Sequence, residues 1–297
     1  MRRLLVFGLI GFAAQLIDGA LGMAYGATST TLLLSAGLAP AVASGTVHLA
    51  EIGTCLASGT AHWRFGNVDW RVVRLMAVPG AIGAFVGAVV LSSISAEAAE
   101  PVTATILFLL GVYVLVRFLR PADAAKLEKP TGRPLRWWAL GPLGLFAGFM
   151  DAAGGGGWGP IGTPALLSSG TMTPRKVIGS TDTSEFLVAV GASLGFLVGL
   201  SLSEIDLGVV GALLVAGLLA APIAAWLVRL VPARILGAAV GGFICLTNAQ
   251  TLGKTIGLEG DELVVAYVVI CLAWAACLAV AIGAVVGGPS SRQAASS

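Results

Sequence analysis

The chain has 297 residues, of which 57% are hydrophobic and only 11% are charged, with a formal charge of +2. A soluble domain of this size would lack the polar surface needed to cover its core, so the composition predicts a polytopic membrane protein. The small net charge gives no reason to expect nucleic acid as a partner. The four cysteines lie in apolar runs without metal-site or disulfide spacing, so we expect buried free thiols, no metal and no cofactor.

Seven segments are apolar over the roughly 20 residues that a transmembrane helix needs. They are residues 41–61, 71–93, 101–119, 174–200, 207–229, 233–253 and 263–287. Two further segments, 4–36 and 137–170, are too long for one ordinary helix, and glycine-rich sequence interrupts each of them after an aspartate. Each is either a single broken span or a re-entrant hairpin of two half-helices. Tryptophans that flank the spans are expected at the membrane interface; they are Trp63, Trp70, Trp137 and Trp138.

The two interrupted segments open matching stretches of sequence. Asp151 lies 133 residues after Asp18, and Glu185 lies 134 residues after Glu51. Between these positions Tyr25 matches Trp158 and His48 matches Asp182. Such a long period, which changes by a single inserted residue, indicates that the chain consists of two related halves.

Basic residues in short loops mark the cytoplasmic side of a membrane protein. If both interrupted segments return to the side from which they enter, nearly all of the 17 Lys and Arg residues fall on one side, and only Arg2, Arg3 and Lys254 fall on the other. Full crossings would give a more even split. The sequence therefore favours two re-entrant hairpins, with the basic central loop in the cytoplasm.

A hairpin followed by three spans crosses the membrane an odd number of times, so the second half is inserted upside down. We predict an all-α polytopic membrane protein with two inverted repeats, each a broken or re-entrant helical hairpin plus three transmembrane helices, and one extra C-terminal transmembrane helix. The predicted parts are repeat 1 at 1–120 (hairpin 4–36), a basic cytoplasmic linker at 121–136, repeat 2 at 137–256 (hairpin 137–170), and a final span with a short polar tail at 257–297.

Broken helices at matching places in two inverted halves are typical of a transporter's binding site near the middle of the bilayer. Glycines let the chain turn and let a ligand approach the backbone, although close helix packing is their alternative role. The half-helix after each break begins with unpaired N–H groups and the positive end of its dipole, which favour an anion. Hydroxyls after the breaks, including Thr30 and Thr31, add donors. The predicted substrate-binding residues are Gly22, Tyr25, Thr28, Ser29, His48, Gly154, Gly155, Gly156, Gly157, Trp158, Thr163 and Asp182.

The helix after each hairpin carries two ionisable residues three positions apart, which places them on one helix face. They are His48 with Glu51, and Asp182 with Glu185. A charge at the bilayer centre costs at least about 2.5 kcal/mol, so we expect these groups to face the bundle interior. His48 can alternate between neutral and cationic forms.

The remaining acidic residues have either a proton-coupling or a structural role. Asp18 and Asp151 precede the breaks, where they either take part in transport or cap the next half-helix. Glu51 and Glu185 either join helices by hydrogen bonds or relay protons. Secondary candidates for the cavity or for contacts between helices are Gln15, Asn248 and Gln250.

The doubled pattern of an early aspartate, a glycine-rich break, an aromatic–Gly pair, and then Pro and a Gly-x-x-(His/Asp)-x-x-Glu helix resembles the sulfite exporter TauE/SafE family, also described as 4-toluene sulfonate uptake permeases. The resemblance covers about residues 5 to 287. It implies a bacterial or archaeal inner-membrane permease for small sulfur-containing or organic anions such as sulfite, sulfoacetate or sulfonates, coupled to the proton gradient. It selects no single anion.

Two other classes of protein fit parts of the sequence. A cation or metal carrier would explain five intramembrane carboxylates. An intramembrane hydrolase would use Asp18 and Asp151 as a dyad, but no GxGD-type or serine–histidine pattern accompanies them and the duplication already explains the pair, so we expect a transporter and not an enzyme. The expected partners are a small anionic substrate, protons and the lipid bilayer, together with a second copy of the chain that packs through small-residue faces.

Overall fold

The computed structural model describes residues 2–21, 25–120, 137–169, 171–172, 174–201, 203–227 and 233–286. These residues form helices and contain no strand, which confirms the all-α prediction. The helices are α1 (Arg2–Leu21), α2 (Tyr25–Ser35), α3 (Pro40–Arg64), α4 (Trp70–Ser92), α5 (Ala96–Leu119), α6 (Trp137–Gly154), α7 (Trp158–Ser168), α8 (Pro174–Gly199), α9 (Leu207–Leu227), α10 (Ala233–Thr255) and α11 (Gly260–Val286). Each of the seven predicted spans coincides with one helix to within a few residues.

Several helices are apolar enough to cross a membrane. Among the described residues, the segments that meet both length and hydropathy are Trp70–Ser92, Ala96–Leu119, Lys176–Gly199 and Gly260–Val285. The last of them has the highest mean hydropathy, 2.7, and none of its most apolar window is buried inside the protein. An apolar helix that is so largely exposed requires lipid around it, so the chain is a multi-pass membrane protein.

The position of α11 on the outside of the bundle corrects one expectation about the cysteines. Cys55 and Cys245 are buried free thiols, as predicted, but Cys271 is exposed and Cys277 is only partly buried. Both of these thiols belong to α11. An apolar run predicts burial away from water, and on a lipid-facing helix the lipid supplies that environment instead of the protein.

Both long apolar segments are interrupted where the sequence predicts. The first is divided between α1 and α2, and the second between α6 and α7. In the second break Gly155 and Gly156 have φ angles of 74° and 151°. Only glycine adopts this region without strain, so the glycine run is what allows the chain to turn here.

Helix packing shows the direction of the chain through the second break. Helices α6 and α8 both run parallel to α4. The facing pairs are Met76–Gly144 and Gly87–Phe149 for α6, and Ala81–Gly191 and Ser92–Gly199 for α8. Because α6 and α8 begin at the same end of α4, the intervening α7 returns the chain towards that end, which is the path of a re-entrant hairpin.

The first break has a similar surrounding. Phe7 near the start of α1, Leu33 near the end of α2 and Val47 in the first half of α3 belong to one buried cluster with Val209, near the start of α9. The same cluster includes Tyr25 at the start of α2, so α1, α2, α3 and α9 share one core around the first break. The return of α2 as the second arm of a re-entrant hairpin stays a prediction.

The two halves are interleaved. Helix α4 packs on α6 and α1 packs on α9, so each of these pairs joins one half to the other. Helix α3 runs antiparallel to α8, because Gly45 faces Phe196 and Gly59 faces Thr183. Helices α5 and α10 also pack together. If each helix is replaced by its counterpart in the other half, the same set of packed pairs results. Two inverted copies would have this property, and the inverted orientation stays a prediction.

Close contact between α4 and α6 depends on residues without side chains. A Cβ atom at Gly83 would overlap the backbone of Leu145. We expect Gly83→Ala to destabilise the protein by about 1–3 kcal/mol, because overpacking at a backbone contact forces the helices apart. The measurement is the loss of the monodisperse fraction on heating in detergent. Gly211→Ala is the matched control, since an added Cβ there meets nothing within 4 Å; equal melting temperatures for the two variants would contradict the prediction.

Candidate functional site

Buried ionisable side chains collect where the two halves meet. His48 and Glu51 on α3 and Asp151 on α6 are at most 2% exposed. His48 Nδ1 lies 2.8 Å from Glu51 Oε2 and 3.9 Å from Asp151 Oδ2. The imidazole also stacks on the Phe196 ring of α8, with the ring centroids 6.1 Å apart. His48 is therefore the cationic candidate that joins acids from both halves, and its predicted common face with Glu51 is confirmed by the short distance between them.

The aspartates before the breaks act as caps. Asp18 Oδ1 accepts a hydrogen bond from the Tyr25 amide at 3.2 Å. Asp151 Oδ1 accepts from the Gly157 amide at 2.7 Å and from the Trp158 amide at 3.0 Å. Side-chain oxygens before a helix stabilise it by accepting from its first N–H groups. The alternative of a structural role for these two aspartates is thus realised in both halves at matching positions.

This capping corrects the expectation that the breaks leave their amides unpaired. The amides of Tyr25, Gly157 and Trp158 donate to aspartates, and the Gly156 amide donates to the Asp151 carbonyl at 2.9 Å. The physical reason is that an unsatisfied buried N–H costs about 1–3 kcal/mol, which a carboxylate within reach removes. An anion at these helix starts must therefore bind other donors or displace a carboxylate.

The second break packs directly on the start of α2. Thr30 Oγ1 donates to the Gly155 carbonyl at 2.6 Å, and Ser44 Oγ donates to the Ala152 carbonyl at 2.8 Å. A Cβ atom at Gly156 would overlap the backbone of the first turn of α2. Carbonyl groups freed by the interruption of α6 are thus satisfied by hydroxyls from the first half. In the part of the chain that the structure describes, the second break therefore lies in direct contact with the first turns of α2.

A small polar cavity lies beside the breaks. Its lining comes from both halves and consists of Gln15, Asp18, Tyr25, Glu51, Thr54, Cys55, Ser58, Asp182 and Glu185. Four of these residues are carboxylic acids. The volume of this carboxylate cavity is about 10 Å³, close to the minimum space for one water molecule. As it stands, the carboxylate cavity is therefore too small for any anion larger than water.

The other predicted substrate-binding residues surround the cavity and the breaks. Thr28 and Thr163 are buried, and among the described residues neither hydroxyl has a hydrogen-bond partner. Ser29, next to Thr28 on α2, is also fully buried. The indole of Trp158 is fully buried and donates to the Thr181 carbonyl at 3.0 Å, so it fixes α7 against α8. Gly22 lies outside the described residues, and Gly154 ends α6.

The three secondary candidate residues lie in different parts of the structure. Gln15 is buried and lines the carboxylate cavity. Asn248 is buried and donates to Thr31 Oγ1 at 3.2 Å, so it joins α10 to α2. Gln250 is exposed and stands apart from the cluster.

Sequence reasoning missed three lining residues of α3. Thr54, Cys55 and Ser58 follow Glu51 by three, four and seven positions. This spacing places all of them on the helix face that Glu51 occupies. The signal was therefore present in the sequence, but small polar residues and a thiol on an apolar helix carry little weight until a carboxylate on the same face is known to be buried.

A multi-pass helical bundle in which two interrupted helices meet beside a buried ionisable cluster has the architecture of a membrane transporter. Comparison with known proteins also indicates a membrane transporter. The chain belongs to the sulfite exporter TauE/SafE family, whose sequence model matches residues 7–251. Both the family and the names of the relatives describe transport, which confirms the prediction that the protein is a transporter and not an enzyme.

The curated relatives are bacterial. The chain is 52% identical over 252 residues to "Probable membrane transporter protein YtnM" of Bacillus subtilis (strain 168), a match that covers 85% of this chain and 83% of the relative. It is 26% identical over 194 residues to YdhB of the same organism (65% and 77% covered), and 27% identical over 201 residues to a probable membrane transporter protein of Xylella fastidiosa (strain 9a5c) (67% and 72% covered). No solved structure matches the chain significantly.

The capping geometry of Asp151 leads to a prediction about two substitutions. Asp151→Asn keeps an oxygen that accepts from Gly157 and Trp158, whereas Asp151→Ala leaves both buried amides without an acceptor. We expect the Ala variant to lose about 1–3 kcal/mol more stability than the Asn variant. Melting temperatures of the two purified variants test this. Equal melting temperatures would show that capping is not the role of this carboxylate.

Proposed function

We propose that the protein is a secondary active transporter of small sulfur-containing or organic anions, such as sulfite or sulfonates, in a prokaryotic plasma membrane, and that transport is coupled to the proton gradient. Family membership supports the class of substrate. The observation that carries the proton coupling is the contact of His48 with Glu51 and Asp151 at the junction of the halves, beside a cavity lined by further acids. In this proposal the central basic loop is cytoplasmic.

The acidic lining explains why an anion would need protons. An ionised carboxylate repels an anion strongly at short range in surroundings of low dielectric constant. Protonation removes this repulsion and turns the carboxyl group into a hydrogen-bond donor. Binding of the anion and binding of protons therefore favour each other, which is the thermodynamic basis of coupled transport.

The transport cycle requires the contact between the two breaks to open. In the closed form, the Thr30 hydroxyl bonds to Gly155 and the carboxylate cavity is too small for an oxyanion. Separation of the hairpins would enlarge the cavity towards Thr28, Ser29 and Thr163, whose hydroxyls are donors suited to an oxyanion. We propose these hydroxyls, together with the backbone of the glycine break, as the substrate contacts.

The alternative of a cation carrier draws on the same carboxylates. Among the described residues, no group of three or more His, Cys, Asp or Glu side chains is placed to hold a metal ion. A cation carrier would have to bring the acids closer together than they lie in the closed form. Flux of a divalent metal measured beside flux of sulfite distinguishes the two functions.

Reconstitution tests the proposed function directly. Proteoliposomes with an imposed pH gradient are expected to transport at least one anion of the set sulfite, thiosulfate, sulfoacetate and methanesulfonate, because the gradient drives protons that the anion must accompany. An ionophore that collapses the gradient is expected to abolish accumulation. Protein-dependent flux of a divalent metal with no flux of any anion in the set would reject the proposal.

His48 gives a sharper test of the coupling. The titratable groups that face it are Glu51 on its own helix and Asp151 on α6, and Phe196 covers its ring from α8. Replacement by Gln removes the titrating group and keeps a polar side chain. We expect His48→Gln to change the shape of the pH profile of transport more than the KM, with a melting temperature that reports on folding. A pH profile identical to that of the natural protein would reject a coupling role for His48.

A further inference from the structure

A second, larger cavity opens at the side of the bundle between α3, α4 and α8. This apolar cleft has a volume of about 310 Å³, within the range of sites that bind small organic molecules. Its main lining residues are Cys55, Gly59, Trp63, Trp70, Val73 and Phe186. The aromatic and aliphatic lining contrasts with the acidic lining of the carboxylate cavity, so the two cavities suit different parts of a ligand.

The rim of the cleft combines two tryptophans with a cation. The rings of Trp63 and Trp70 meet edge to face, with centroids 6.3 Å apart. Arg74, which also lines the cleft, donates from Nε to the Trp70 carbonyl at 3.2 Å. The ion pairs found among the described residues do not involve Arg74. Its positive charge is therefore available to a ligand at the opening of the cleft.

The inner end of the cleft adjoins the carboxylate cavity. Cys55 belongs to the lining of both. On α3, Ser58 faces the carboxylate cavity while its neighbour Gly59 faces the cleft; on α8, Asp182 and Thr183 are divided in the same way. Neighbouring residues of α3 and α8 thus line the two cavities.

We infer that the apolar cleft is a binding site for an organic anion with an apolar tail, whose charged head pairs with Arg74 and whose tail lies between the tryptophans and Phe186. The inference rests on the proposed function and extends it, because it gives tailed anions a docking site next to the carboxylate cavity. Charge complementarity at the rim selects an anion. An inorganic oxyanion has no apolar group to bind to the apolar wall, so this site favours anions that carry an apolar tail.

Two variants with matched controls test the cleft. Thr60 lines the cleft and Ala61 beside it on α3 does not, so Thr60→Phe fills the cleft and Ala61→Phe is its control. Arg74→Gln removes the rim charge, and Arg71→Gln removes an exposed charge of the same helix that is not part of the lining. The readouts are binding of radiolabelled benzenesulfonate to the detergent-purified protein, and proteoliposome flux of benzenesulfonate and methanesulfonate, which share a head group.

The expected result is a loss that depends on the tail. Thr60→Phe should weaken benzenesulfonate binding by about tenfold, the change that 1.4 kcal/mol represents. It should also lower benzenesulfonate flux. Methanesulfonate flux should stay within about twofold of the natural level, a change much smaller than tenfold. Arg74→Gln should weaken binding of benzenesulfonate relative to Arg71→Gln. Melting temperatures that match those of the controls establish that both variants fold.

The outcomes separate this inference from the proposed function. Benzenesulfonate binding that both cleft variants weaken, in a protein that transports no anion, would support the cleft and reject anion transport. Transport of both anions that is equally sensitive, or equally insensitive, to Thr60→Phe would support transport and overturn the cleft as a tail site. No benzenesulfonate binding by the natural protein, as expected if a lipid chain fills the cleft, would also overturn it.

Discussion

The structure depends on how an interrupted helix is tolerated inside a bilayer. Backbone N–H and C=O groups have no water to bond there, so a break survives only where the protein satisfies them. Asp151 supplies the acceptor for two amides at the start of α7, and Thr30 and Ser44 supply donors for carbonyls at the end of α6. The need to satisfy one half's backbone from the other half's side chains is what brings the two breaks together.

The same requirement explains why ionisable groups gather at the junction. A capping carboxylate must lie deep in the bundle, where an isolated charge is costly, so partners of compensating character collect around it. His48 fulfils this role for Asp151 and Glu51. Once buried acids and a histidine share one place, a change of protonation alters the interactions that hold the hairpins together. Structural capping and the proposed proton coupling therefore involve the same side chains, and only substitutions that preserve one of the two roles separate them.

The features that could be predicted from the sequence are those that depend on local interactions. Hydropathy and glycine runs depend on neighbouring residues, so the spans, the two breaks and the matching of Asp18 with Asp151 could be predicted. The hydrogen bonds that occupy the amides could not be predicted, because six residues lie between Asp18 and Tyr25 and the sequence does not give their path. The apolar cleft was also beyond reach, since it exists only through the packing of α3, α4 and α8. Burial of Cys271 was wrongly expected because hydropathy does not distinguish lipid from protein.

The departure from symmetry at one pair of positions gives the two halves different chemistry. Where the first half has His48 between acids, the second has Asp182, which lines the carboxylate cavity with Glu185 and has Ser58 nearby. The His48 side of the junction thus has one basic group beside two acids, whereas on the Asp182 side the matching position adds another acid to the cavity lining. If the halves exchange conformations during transport, as repeats in other transporters do, the two exchanged states differ in the charge they present to the anion. In the proposed cycle a perfectly repeated sequence would make these states equal in free energy, and the different side chains at positions 48 and 182 are what would let protons favour one of them.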